Sequence, residues 1–206
     1  ISGVVCMKKK IMLCLFFVLI IFASTNIFAT SINSKYKKSA EELKSYNIIQ
    51  GDSSGDLMLD KNLKREDLIV ILSRLMNDEE RAKKYSSETK FTDLKSASKV
   101  YLPYINWAVS NGYIHGVTKD KFGYGDYVTV RQYQAILLRI LDYSSEAKKW
   151  DMVSDYAVTY GLMDGLDLKP DDFLNRGEMA LMTTNALKTP KKGSTLSLLK
   201  VLNLKK

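Results

Sequence analysis

With 206 residues, 46% of them apolar, the chain can bury a proper core, so a folded domain or a repeat array is expected rather than disorder. Its net charge of +8 is unevenly placed: without Lys8, Lys9 and Lys10 there remain 28 basic against 23 acidic residues. Six of those basic residues (Lys188, Lys191, Lys192, Lys200, Lys205 and Lys206) lie in an acid-free tail, so the body is nearly neutral and lacks the basic face of a nucleic-acid binder.

In chain order, the first signal is Met7, followed by three lysines and an apolar run from Ile11 to Ala23. That run falls short of the roughly 20 residues a spanning helix needs. A basic stretch, a short apolar stretch and small or polar residues ending near Ala29 predict a cleavable signal peptide over residues 1–29. An anchor helix extending through Ile27 and Phe28 is the alternative, opposed by Ser24, Thr25 and Asn26. Residues 1–6 precede Met7 and are expected to lie upstream of the true start. Cys6 and Cys14 both fall within this region, so the exported chain is expected to have neither a disulfide nor a lipid anchor. After cleavage no membrane contact is expected.

Three segments then share one pattern, with expected boundaries at residues 36–86, 87–145 and 146–190 and a basic tail at 191–206. In each, a helix-like stretch ends in a pentad closed by glycine: Asn47 to Gly51, Gly112 to Gly116 and Gly161 to Gly165. Glycine at that place suggests a backbone leaving helical geometry through positive φ. A polar loop follows, and then a second helix expected to open on Arg65, Arg131 and Arg176, each five residues after an aspartate (Asp60, Asp126, Asp171). The glycine-to-arginine spacings are 14, 15 and 11. Apolar residues at helical spacing follow each arginine, such as Leu68, Ile71 and Leu72 in the first segment and Ile136, Leu137 and Ile140 in the second. The tail is read as a solvated basic end, with Leu198, Val201 and Leu202 at helical spacing.

The second segment carries the fullest set of motifs: Phe91-Thr92-Asp93-Leu94, Tyr104 to Val109, Gly112-Tyr113-Ile114-His115-Gly116, Phe122, and Val128-Thr129-Val130-Arg131. Together these resemble an S-layer homology repeat, and the other two segments keep parts of the same order. The resemblance implies an all-α fold in which three tandem helix–loop–helix repeats form a pseudo-threefold bundle with grooves between neighbours. It further implies that the grooves bind the pyruvylated secondary cell wall polysaccharide attached to peptidoglycan, on the wall or S-layer of a Gram-positive bacterium. Other surface-layer proteins are a second expected contact. A secreted helical-repeat module for protein contacts, with degenerate grooves, is the alternative.

The family motif at the second helix is Thr-Arg-Ala-Glu, whose arginine is implicated in holding the ligand. Aligned on the arginines, this chain reads Lys64-Arg65-Glu66-Asp67, Val130-Arg131-Gln132-Tyr133 and Asn175-Arg176-Gly177-Glu178, with threonine absent throughout and the acid absent from the second. The expected carbohydrate-binding residues are thus Arg65, Arg131, Arg176, Asp67, Glu178, Asp93, Trp107, Gly51, Gly116 and Gly165. An arginine in a first helical turn suits a ketal carboxylate, because its planar fork grips two oxygens and the helix end favours an anion. Each arginine could instead pair with the aspartate before it. Asn175 with Glu178 and Thr129 with Gln132 have capping-box spacing, and Trp107 could be either a stacking face or core.

Catalysis is poorly supported. His115 is the sole histidine, both cysteines lie near the start, and no carboxylate pair stands out for glycoside hydrolysis, so no enzyme is expected. No cofactor or metal is expected either: the run Asp52, Ser54, Asp56, Asp60 has Leu57 and Leu63 where a calcium loop needs glycine and glutamate.

Overall fold

A computed structural model of the chain describes residues 34–206. The expected signal peptide at residues 1–29 lies outside them. Among the described residues no helix is long and apolar enough to cross a membrane.

The described residues are all-α and form three helix–loop–helix units. The first unit comprises α1 (residues 34–45), α2 (Arg65–Leu75) and α3 (Glu79–Lys83). The second comprises α4 (Leu102–Ser110), α5 (Val130–Ile140) and α6 (Ser144–Ala147). The third comprises α7 (Val153–Thr159) and α8 (Arg176–Lys188), and one last turn follows as α9 (Leu198–Val201).

The first helix of every unit stops in the same way. Asn47, Gly112 and Gly161 adopt left-handed φ values of 58°, 72° and 72°. The next residue then donates its N–H back five positions: Ile48 to the Leu43 carbonyl, Tyr113 to Ala108 and Leu162 to Ala157. This terminator satisfies carbonyls that the helix end would otherwise leave unpaired. The conformational break thus sits at the first residue of each pentad, four residues before the predicted glycine. Of the closing glycines only Gly165 has positive φ, at 77°. Gly51 and Gly116 are needed for space instead: a Cβ on Gly116 would lie 2.4 Å from the Lys121 carbonyl oxygen.

The segments leading into the second helices meet in a closed ring. Leu63 donates its N–H to the Leu174 carbonyl, Leu174 to Val128, and Val128 to Leu63, each at 2.9 Å. All three side chains are buried, so the ring pairs backbone groups that water cannot reach. Around it, α2 packs on α4 and α5 on α7, while α8 reaches α1 through the Thr184 and Ser39 hydroxyls, 3.1 Å apart. One continuous core results, including Leu43, Leu72, Ile105, Trp107, Leu137 and Met182. Burying each such side chain is worth about 1.5–3 kcal/mol.

The ring also fixes the register of the second helices. Two residues beyond it stand Arg65, Val130 and Arg176, and these open α2, α5 and α8. Arg131 is therefore the second residue of its helix, and Val130 occupies the place that arginine holds in the other units. Further equivalences agree: left-handed Asn77 matches Asp142, and buried Ala82 matches Ala147. Re-aligned on the ring, the second motif reads Thr129-Val130-Arg131-Gln132, so threonine is retained at the N-cap. The spacing of 15 rather than 14 marked this shift. One residue turns a helical side chain by about 100°, so it decides which neighbours the side chain meets.

The basic tail folds back on the body. Lys191 pairs with Asp142 at 2.8 Å and Lys192 with Glu146 at 2.7 Å, while Leu198 is buried beside α8.

Candidate functional site

A groove of about 430 Å³ runs between the first and second units. Arg65 forms its inner wall. Its Nε donates to the Phe122 carbonyl at 2.9 Å, its Nη2 to the His115 carbonyl at 2.9 Å and its Nη1 to Gln132 Oε1 at 3.2 Å. The guanidinium also lies 4.9 Å from the centre of the Phe122 ring. Arg65 is only 2% exposed, and burial lowers its pKa to about 10 although Asp126, Asp93 and Glu66 favour the cation. It is first of all a clasp between units, holding carbonyls of the next unit's loop.

The rest of the groove comes from the second unit and the start of the third. Gln132 and Arg139 project from α5, His115 and Gly116 come from the loop, and Lys148 and Trp150 close the far side. Arg139 makes no ion pair among the described residues; its Nη1 points at the Tyr113 carbonyl, 3.4 Å away, and burial lowers its pKa. No carboxylate lines this groove. His115, with its pKa lowered by burial and then by Arg139 and Lys148, is more neutral than a free histidine.

A smaller groove of about 230 Å³ lies between the third and first units. Here Arg176 is the clasp, donating through Nε to Leu57 O at 2.8 Å and through Nη2 to Gln50 O at 3.0 Å. Arg74 stands where Arg139 stands in the first groove, and Tyr101 where Trp150 stands. This groove is partly neutralised: Asp67 accepts from the Tyr101 hydroxyl at 2.6 Å, and Arg74 faces Glu79 at 3.1 Å.

The interface between the second and third units differs again. Val130 replaces the clasp and is fully buried. The Asp164 carbonyl, equivalent to those of His115 and Gln50, accepts instead from Asn185 Nδ2 at 2.9 Å. Arg131, turned aside by the register shift, pairs with Asp171 at 3.3 Å and lies 5.7 Å from the Trp150 ring centre. The ion pair thus crosses to the next unit, whereas the sequence suggested Asp126 within the same one. Free helix-end N–H groups, also expected, are in part already used: Arg65 donates its N–H to Asp126 O, Arg131 to Pro170 O and Arg176 to Lys61 O.

The remaining predicted residues serve the scaffold. Asp93 accepts the N–H groups of Phe122, Gly123 and Tyr124 at 2.9, 2.7 and 3.1 Å, fixing the loop on which Arg65 closes. Burial raises its pKa, but these donors outweigh that and leave it lowered. Glu178 and Asn175 form a full capping box, as do Thr129 and Gln132. Burial, foremost, holds the Glu178 carboxyl above its ordinary range. Trp107 is wholly buried, with its indole N–H donating to Asp78 at 2.8 Å, so its faces are core and meet no groove. Gly165 lies beside Lys35 and Leu181.

Sequence reasoning missed Arg139, Arg74, Lys148, Trp150 and Tyr101 as groove residues. A signal for two of them existed, since Arg74 and Arg139 each follow nine residues after the first residue of their helix. It becomes visible only once Val130 is taken as that first residue.

Among known proteins, the S-layer homology domain profile matches residues 90–129. A cell surface protein of Thermoanaerobacter kivui is 27% identical over 177 residues, covering 82% of this chain and 22% of that protein. The chain thus spans about a fifth of the length of this curated relative. The matched stretch holds Asp93, the clasped loop and the approach to α5, and domains of this family are non-enzymatic anchoring modules of cell surfaces. With the match, the likeness and the helical fold in agreement, this chain carries an S-layer homology domain match at residues 90–129.

Proposed function

We propose that the protein is held non-covalently on the cell wall by binding an anionic secondary wall polysaccharide, of the pyruvylated kind, in grooves between its units. In this reading all three units are S-layer homology repeats in pseudo-threefold order, a view supported by the hydrogen-bonded ring of Leu63, Val128 and Leu174. The protein then acts at the cell surface as an anchor, without catalysis of its own.

The observation that carries the proposal is the groove beside Arg65. It gathers Arg65, Arg139 and Lys148 with an exposed indole, Trp150, and no carboxylate. A ketal carboxylate on a sugar needs cations in fixed directions and an apolar face for the ring, and this set supplies both. Arg65 has three of its five N–H groups engaged by protein, which leaves donors for a ligand.

The test is cosedimentation of the protein with purified cell walls before and after chemical removal of the secondary polysaccharide, with Lys148→Gln and Trp150→Ala variants alongside. These exposed positions are preferable to Arg65, whose loss would disturb the fold. Binding that vanishes with the polysaccharide and weakens in both variants is expected. Binding that survives removal of the polysaccharide overturns the reading in favour of a protein-contact module.

A further inference from the structure

We infer that the three inter-unit grooves are not equivalent: the Arg65 groove is the carboxylate site, the Arg176 groove a weaker one, and the groove at Val130 no anion site at all. This rests on the anchoring reading above and says where on the chain it is exercised.

The argument is positional. Each groove is framed by the first residue of one unit's second helix and by two residues of the next unit's second helix, the third and the tenth. An aromatic residue from the start of the following unit completes it. In the first groove these are Arg65, Gln132, Arg139 and Trp150. In the second they are Arg176, Asp67, Arg74 and Tyr101. In the third the same places hold Val130, Glu178, Asn185 and Tyr36.

Both cation positions are therefore lost together in the third groove, and an acid stands at its third-residue place. That place holds neutral Gln132 in the first groove. The loss is structural and not only a change of letters. Val130 is buried, and Asn185 donates to the Asp164 and Leu162 carbonyls at 2.9 and 3.2 Å. The loop that arginine clasps elsewhere is tied here from within its own unit. An anion entering would meet Glu178 with no facing guanidinium, and only the single ammonium of Lys35, beside Gly165, to offset that like charge. The Arg176 groove is intermediate, because Asp67 and Glu79 offset its two arginines.

The probe is a methyl glycoside bearing a pyruvate ketal, with the unsubstituted glycoside as control. Isotope-labelled full-length protein is titrated while backbone amide shifts are followed. Carboxylate-dependent shifts are expected first in residues 114–117 and 148–150, at higher ligand in residues 50–52, and not in residues 162–166. Lys148→Gln, at an exposed position, should weaken the first response tenfold, and Arg139→Gln at least as much, with the amide spectrum otherwise that of a folded chain. Equal shifts at 162–166, or an unchanged titration in Lys148→Gln, overturn the inference while leaving wall binding intact. Absence of any carboxylate-dependent response, with walls still sedimenting the protein, overturns the inference alone; loss of both overturns the anchoring reading too.

Discussion

The guanidinium of Arg65, in the first unit, donates to the backbone carbonyl of His115, in the second, at 2.9 Å; Arg176 does the same to Gln50 at 3.0 Å, joining the third unit to the first. The arginine of the motif is thus part of what holds neighbouring units in register, and it forms the groove wall as a consequence.

Arg65→Ala should therefore cost stability before it costs binding. It strands the buried Phe122 carbonyl and frees the half-buried His115 carbonyl, a loss of roughly 1–3 kcal/mol. Chemical denaturation would show it as a lowered midpoint at unchanged slope. Arg65→Lys should recover only part, because an ammonium lacks the planar fork. A variant as stable as the parent would show that the clasp is dispensable.

Asp93 should make stability sensitive to acid. Its native pKa lies below the ordinary value of about 3.9, so its contribution is fully present above that pH and disappears as pH falls through the lowered native value. Asp93→Asn cannot accept all three N–H groups, so it should be less stable at pH 7. The gap between the two proteins should close below about pH 4. A gap constant from pH 7 to pH 2 would contradict this assignment.

Trp107→Phe should lower stability by about 1–2 kcal/mol through loss of the bond to Asp78. Wall binding measured where the variant is folded should not change, since the ring meets no groove. A binding defect in a fully folded variant would return Trp107 to the ligand site.

Two glycines separate space from conformation. At Gly116 a Cβ would approach the Lys121 and Thr118 carbonyl oxygens to 2.4 and 2.5 Å, so Gly116→Ala should cost about 2 kcal/mol or more and distort the groove. Gly125 has φ 87° and open space around it, so Gly125→Ala should cost only about 1 kcal/mol. Thermal unfolding of the pair would rank them.

Much of the fold was legible in the sequence because its determinants are local. Helical spacing of Leu68, Ile71 and Leu72, the three pentads and the capping-box spacings at Thr129 and Asn175 each depend on residues within a few positions of one another. The motif set of the second unit pointed to the family for the same reason. The site was less legible. Whether Trp107 faces a sugar or the core depends on Asp78, and whether Lys191 and Lys192 are free depends on Asp142 and Glu146. Those partners are remote in sequence and close only after folding.

The sequence by itself determined that the chain is helical and that it carries S-layer homology motifs, because periodicity and turn chemistry are written in neighbouring residues. Only the tertiary structure decided that Val130, and not Arg131, is the counterpart of Arg65 and Arg176. That choice is set by backbone hydrogen bonds among Leu63, Val128 and Leu174, residues from three distant segments. A one-residue shift is almost invisible in a string, yet on a helix it swings a side chain by about 100°, and here it takes the Arg131 guanidinium away from the clasp's place to Asp171.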